Sequence, residues 1–490
     1  MRASGILLPI FSLPSPYGIG TLGKTAYQFI DFLHLAKQKY WQVLPLGPTS
    51  YGDSPYQTFS SFAGNPYFID LDVLKEKGYL VEEEINVHKN LPLTIDYGDL
   101  YHWRFQVLKK AFYRFQPGEA YLQFIQDNAF WLEDYALFMS LKDTFSGISW
   151  QDWPQEYKVY QAEILNTYAS NHSESIQFWY FIQYQFFTQW KQLKAYAHQK
   201  GIELIGDVPI YVALDSVDVW ANTQQFMLDS KLKPVCVAGC PPDAFAKTGQ
   251  LWGNPLYNYT RMKQDGYAWW MKRMQAAYQL FDVIRIDHFR GFEAFYAIPG
   301  DDSTAEHGKW MKGPGFSFFK ALRQAHPQAR IIAEDLGFLT EGVHRLLEKT
   351  GYPGMKVLEF AFQPDEDSLY LPHHHIQHAV VYTGTHDNLP VRGWFQTLNE
   401  AEKHMVREYL TLSSDDKVCD AMVREALKSV CDLAIIPIQD YLGLDASSRI
   451  NTPSTKEKNW TWRIDEHYLS KALADYIGFL TTLYRRTPIE

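Results

Sequence analysis

The stretch F-D-V-I-R-I-D-H, residues 281–288, decides how this chain is read. Residues two apart on a strand point to the same side. Phe281, Val283, Arg285 and Asp287 therefore share one face, and Asp282, Ile284 and Ile286 the other. Two more short apolar runs end in acid: R-I-I-A-E-D at Glu334 and A-V-V-Y-T-G-T-H-D-N at Asp387. In an α/β barrel, catalytic groups sit where strands end, because the loops there converge on one mouth. Carboxylates at three strand ends point to glycosidic bond chemistry. That chemistry needs a nucleophile, a proton donor and usually one more anchoring carboxylate.

Arg285, on the same face as Asp287, would hold it ionised, since a nearby cation lowers a carboxyl pKa. A nucleophile must be charged and a proton donor must not be. Glu334 follows Ile331, Ile332 and Ala333, surroundings that suit a raised pKa; Asp335 beside it points to the opposite face.

Outward from these runs, further strand signals lie at 40–46, 65–71, 202–210, 355–360, 379–383 and 433–438. With the runs ending at Asp287 and Glu334 they make eight, separated by helical segments, which fits a (β/α)8 barrel better than an open sheet. From 73 to 199 the spacing of apolar residues is three to four, as in Phe178, Phe181, Ile182, Phe186 and Trp190. The expected organisation is an α/β TIM barrel beginning in residues 1–72, a mainly helical insertion over 73–199, and the rest of the barrel over 200–490. A substrate-loop insertion is expected near 225–280. After Ile438 there is room for a loop and one helix, around 469–485, but not for a C-terminal β-sandwich.

Composition excludes several classes. The net charge is −10, from 46 Lys and Arg against 56 Asp and Glu, where nucleic acid would call for a basic surface. The same charge disfavours anionic membranes, and no run approaches the roughly 18 apolar residues of a spanning helix. Pro9 and Pro14 interrupt the apolar start, which reads as mature protein and not as a signal peptide. Four cysteines make no disulfide framework and suit a reducing cytoplasm. Cys236 and Cys240 lack a second pair to complete a zinc site. His373, His374 and His375 read as a solvated loop, as do Asp365, Glu366 and Asp367, which lack the calcium-loop pattern. No glycine-rich phosphate loop follows any strand. Neither a metal nor a cofactor is expected.

Aromatic residues are abundant: 15 Trp, 32 Tyr and 31 Phe. Tyr17, Tyr51, Tyr56, Trp252, Tyr257, Trp460 and Trp462 lie in polar, glycine- and proline-rich segments. Flat rings with polar tips suit sugar faces.

R-I-D-H at 285–288, A-E-D-L-G at 333–337 and T-H-D-N at 385–388 resemble the catalytic blocks of the α-amylase superfamily. The flanking blocks narrow this to the amylomaltases, the 4-α-glucanotransferases or disproportionating enzymes. They include S-G-I-L-L-P-I-F-S-L-P-S-P-Y-G-I-G, G-D-S-P-Y-Q (52–57), G-D-V-P-I-Y-V (206–212), G-Q-L-W-G-N-P-L-Y-N-Y (249–259) and R-I-N-T-P with N-W-T-W-R (449–463). The similarity runs almost end to end. It implies Asp287 as nucleophile, Glu334 as general acid/base and Asp387 as the residue that grips the sugar hydroxyls. It also implies Arg285, His288, His386 and Asp207 around the scissile bond, with Tyr56, Trp252, Asn254 and Tyr257 toward the glucan chain. The implied partners are maltooligosaccharides and α-1,4-glucans, with glucose as an acceptor. Two alternatives use the same residues: an α-glucan hydrolase, and a non-catalytic glucan-binding protein.

Overall fold

The computed structural model describes residues 2–50, 52–89, 91–242, 247–337, 339–455 and 458–488. In chain order the strands are β1 (Ala3–Leu7), β2 (Tyr40–Gln42), β3 (Glu203–Val208), β4 (Cys236–Cys240), β5 (Gln250–Pro255) and β6 (Val283–Ile286). They continue with β7 (Ala294–Pro299), β8 (Lys309–Lys312), β9 (Ile331–Ala333), β10 (Gly354–Val357), β11 (Ala379–Tyr382) and β12 (Leu433–Pro437). Eight of them run parallel in the order β10-β11-β12-β1-β2-β3-β6-β9. The seam between β9 and β10 is bridged by two bonds. The Ala333 N–H donates to the Pro353 carbonyl (3.0 Å), and the Met355 N–H to Asp335 Oδ1 (2.6 Å). The fold is the (β/α)8 barrel.

The strand period separates two packing layers. Leu7, Ile205, Val283, Ile332, Met355 and Ile435 point inward and fill the barrel. Their neighbours Ile6, Leu204, Ile284 and Ile331 point outward into a larger core shared with the helices. Asp207 and Arg285 have the inward parity, so they extend the filled interior upward to the mouth.

From Leu71 to Gln199 the described chain holds helices and loops without a strand. Its long helices, Glu119–Thr144 and Ser173–Gln199, meet through rings such as Trp131 with Phe187 (5.7 Å) and Tyr135 with Trp179 (6.1 Å). The second of these helices also reaches the barrel: the Trp190 indole N–H donates to the Leu280 carbonyl (3.1 Å). The loops after β3 and β6 supply β4, β5, β7 and β8, an antiparallel sheet ordered β5-β4-β7-β8. Leaving from the ends of parallel strands, this sheet stands at the mouth of the barrel. After β12 the described residues contain only helices and turns, ending with helix Lys471–Leu483. No described helix is long and apolar enough to cross a membrane.

Two strand assignments are corrected. Residues 65–71 form no strand. Asn65 caps a 3-10 turn by accepting from the Tyr67 N–H, and Asp70 caps helix Leu71–Glu76 by accepting from the Val73 N–H. Asn before Pro, and Asp before a helical run, are the cap signals that the apolar alternation concealed. The eighth barrel strand is β1, inside the segment read only as the apolar start. Its Gly5 is required by close packing: a Cβ there would lie 2.6 Å from Cβ and the carbonyl oxygen of Tyr40 on β2.

Candidate active site

The site begins with strand register. Asp207 on β3 and Arg285 on β6 are direct partners in the ladder and share the inward face. Arg285 Nη1 donates to Asp207 Oδ2 at 2.7 Å and Oδ1 at 2.9 Å, and to Asp287 Oδ1 at 3.1 Å. The Arg285 and Asp207 side chains are 4% and 0% exposed, whereas that of Asp287 keeps 27% open to the cleft. Arg285 therefore serves Asp207 first, where the sequence led us to expect it to serve Asp287.

Asp287 follows β6 by one residue, and Glu334 follows β9 by one residue. The His288 N–H donates to Glu334 Oε2 (2.6 Å), so a single peptide unit links the positions of the two acids. The Leu336 N–H donates to the other Glu334 oxygen (3.0 Å). Burial pushes the Asp287 carboxyl well above the ordinary range; Arg285 pulls it down, while Asp207, Glu334 and Asp387 push it further up. Glu334 is also raised, chiefly by burial, with Arg285 and its two backbone donors opposing. Arg285 acts on Asp287 in the expected direction, against burial and the neighbouring acids. Here one guanidinium is shared, and burial outweighs it. Protonating either acid removes a negative charge beside the other and so favours that one's ionisation.

Asp387 lies in the turn after β11, beyond the strand itself. Asn388 shapes the turn by accepting from the Thr385 N–H (2.9 Å) and hydroxyl (2.8 Å). The C-terminal block reaches back to hold it. Asn451 Nδ2 donates to Asp387 Oδ1, and Arg449 Nη2 donates to the Asp387 carbonyl, both at 2.6 Å. Arg449 and Asn451 were not singled out in the sequence, because 62 and 64 residues separate them from their partner. Asp440 was missed for the same reason. It is 2% exposed and accepts from the Thr383 hydroxyl (2.5 Å) and the Val391 N–H (2.8 Å), clamping both ends of the segment that carries His386 and Asp387.

The other expected residues fall into two groups. Tyr56 enters the charge network directly: its hydroxyl donates to Asp207 Oδ2 (2.7 Å) and lies 2.9 Å from His386 Nε2, with the two rings stacked. Burial lowers the pKa of both His288, to about 3, and His386, so both imidazoles are neutral at pH 7. His288 takes a left-handed backbone (φ 49°) and meets the half-buried Trp252 edge-on, with ring centres 4.9 Å apart. Asn254 and Tyr257 form the second group and are corrections. Asn254 is 5% exposed and donates to the Val212 carbonyl (2.8 Å); Tyr257 is 1% exposed and donates to the Ile210 carbonyl (2.8 Å). They anchor the loop from beneath, because rings such as Phe226 and Trp270 cover Tyr257. Tyr17 is likewise fully buried, bonded to Asp72, and Tyr51 lies outside the described residues.

Comparison with known proteins follows the same lines. The 4-alpha-glucanotransferase family matches residues 8–469. A 4-alpha-glucanotransferase of Clostridium butyricum is 47% identical over 484 residues, spanning 97% of this chain and 99% of the relative. One from Thermus thermophilus is 45% identical over 476 residues, with 94% and 95% covered. The solved amylomaltase from Streptococcus agalactiae, in complex with acarbose, superposes with a TM-score of 0.96 at 39% identity, over 100% of both chains.

The clamp at Asp440 is testable by stability. Asp440→Ala leaves the Thr383 hydroxyl and the Val391 N–H buried without an acceptor, each costing about 1–3 kcal/mol. Asp440→Asn can accept from Val391 and donate to Thr383, so it should lose less than half as much. Burial raises Asp440 to about 6. Its contribution is then fully present below the unfolded value of about 3.9 and declines as pH rises through the folded one. Urea unfolding at several pH values should show the deficit of Asp440→Asn shrinking from pH 4 to pH 7. Equal losses in the two variants, or a deficit that grows with pH, would count against the clamp.

Proposed function

The chain belongs to the 4-alpha-glucanotransferase family and is an enzyme of α-1,4-glucan transfer, and we propose that Asp287, Glu334 and Asp387 carry its chemistry by double displacement. The observation that carries this reading is the linked pair of acids, Asp287 bonded to Arg285 and Glu334 bonded to the His288 N–H, with both carboxyls pushed above the ordinary range. A site with one proton to give and one carboxylate to attack is what a retaining mechanism starts from.

In the first step an Asp287 oxygen bonds to the anomeric carbon as the glycosidic C–O bond breaks. Glu334 gives its proton to the departing 4-oxygen, leaving a glucosyl ester on Asp287 and an ionised Glu334. Arg285 stays beside Asp287 throughout. In the second step Glu334 takes the proton of an acceptor 4-hydroxyl, that oxygen bonds to the anomeric carbon, and the ester bond breaks. One α-1,4 bond is lost and one is made, and two inversions restore the α configuration.

Asp387, which accepts from Asn451, takes the role of accepting hydroxyls of the sugar at the cleavage point; its bond to Asn451 supports this. Neutral His288 and His386 can each donate or accept one hydrogen bond there. Trp252 offers a ring face on the cleft wall, and Tyr56 offers its stacked ring. Acarbose, the compound bound to the Streptococcus agalactiae amylomaltase, is a fitting ligand to try. Glucose and short maltooligosaccharides are proposed as acceptors. We place the enzyme in the cytoplasm, a location supported by cysteines of which none is in a disulfide.

Two outcomes test the assignment. Glu334→Gln should lose about 10² to 10⁴ in turnover of maltotriose, the typical share of a general acid/base. It should still react with α-glucosyl fluoride, whose leaving group needs no proton. The ester should then accumulate, and mass spectrometry of the digest should find the sugar on Asp287. A sugar on Asp387, or none, would refute the roles given. The second outcome concerns pH. The charge of Asp207 raises the Asp287 pKa. Asp207→Asn should therefore move the acidic limb of the kcat/KM profile to lower pH, since Asp287 then ionises more readily. An unmoved or upward-shifted limb would contradict the shared-charge reading.

A further inference from the structure

We propose that Asp367, His373 and His374, on the connection between β10 and β11, form a surface site for a divalent transition-metal ion such as zinc. Among the described residues, this is the one group of three His, Cys, Asp or Glu side chains whose ligand atoms all lie within 4.8 Å of one another. The carboxylates of the cleft do not meet that spacing, so the inference is independent of the sugar chemistry.

The His-His-His run looks uniform in sequence, but the fold divides it. His375 is 8% exposed and has both ring nitrogens engaged, Nδ1 with the Ser429 hydroxyl (2.8 Å) and Nε2 with the Tyr370 carbonyl (3.0 Å). It is an anchor and has no nitrogen to offer. His373 and His374 project from the 3-10 turn Pro372–His374 with ring centres 4.3 Å apart. His374 Nε2 lies 2.7 Å from Asp367 Oδ1. The His373 ring is fixed from behind. Its Nδ1 lies 2.9 Å from the Tyr409 hydroxyl, and the two rings stack with centres 5.9 Å apart. A second partner that orients a ligating imidazole is the usual support of a metal site.

Ligands 2.0–2.1 Å from a tetrahedral zinc are roughly 3.4 Å apart. The three ligand atoms lie within 4.8 Å of one another, so binding requires side-chain rotation to close them to that spacing, and water would complete the four ligands. Two imidazoles and a carboxylate suit zinc, nickel or copper better than calcium or magnesium, which prefer oxygen alone. An exposed three-ligand site should bind more weakly than a closed four-ligand one, with a Kd of about 1–100 μM.

The test is calorimetric titration of untagged, chelator-treated full-length protein with Zn²⁺. One equivalent should bind in that range. His373→Ala and His374→Ala should each weaken binding at least about 10-fold. Both positions are exposed enough that folding should persist, which circular dichroism would check. The double variant Cys236→Ser/Cys240→Ser should bind as the wild type does. The proposal is overturned if wild type binds no tighter than about 1 mM, if both histidine variants bind as wild type, or if only the cysteine variant loses the metal.

Discussion

A buried guanidinium sets the terms for everything at the mouth of this barrel. Arg285 is 4% exposed as a side chain and faces Asp207, which is 0% exposed, across a strand ladder that leaves neither room to turn away. Stranding one partner of such a pair typically costs about 3–5 kcal/mol, so both are held in place. Once they are fixed, Asp287 shares the same Nη1 nitrogen that serves Asp207, and Tyr56 bridges Asp207 to His386. Charge is then scarce: several carboxyls surround one guanidinium, and both nearby histidines are neutral at pH 7. That scarcity raises both Asp287 and Glu334, which favours the protonated acid that the proposed displacement needs.

Neighbouring acids do different work because the barrel sends them to different sides. Glu334 faces the cleft, while Asp335 accepts from the Met355 N–H and bridges the seam between β9 and β10. Gly354 leaves it space, since a Cβ there would come within 2.3 Å of Asp335 Oδ2. The mouth is assembled similarly from distant parts. Arg449, Asn451 and Asp440 brace the turn that carries Asp387, so a proposed substrate contact on one loop depends on residues beyond the last strand.

Much of this was legible before the structure. The parity of residues 281–288 places Arg285 on the inward face, and the alternation of strand and helix signals leads to the barrel. What was hidden has physical reasons. Residues 65–71 alternate like a strand, but Asn65 and Asp70 cap turns and win over the pattern. β1 contains Ser4 and Gly5, weak strand formers, and Gly5 is needed because β2 packs so closely. Tyr257 and Asn254 lie in a segment that looks like an open loop, yet antiparallel pairing and a wall of rings bury them. The sharing of Arg285 with Asp207 depends on β3–β6 register, a relation across 78 residues that no local reading contains.

The remaining contest at this site is between a sugar and water for the glucosyl ester. Water is present at about 55 M and a sugar at millimolar concentration, so transfer wins only if the cleft orients the acceptor. Effective molarities of about 10⁵ M or more for well-placed groups make that feasible. The most direct measurement follows maltotriose over time, counting glucose and total reducing ends together. Transfer conserves the number of α-1,4 bonds, so glucose should appear with a ladder of longer oligomers while reducing ends stay nearly constant. Reducing ends rising in step with glucose from the first minutes would contradict transfer and identify a hydrolase.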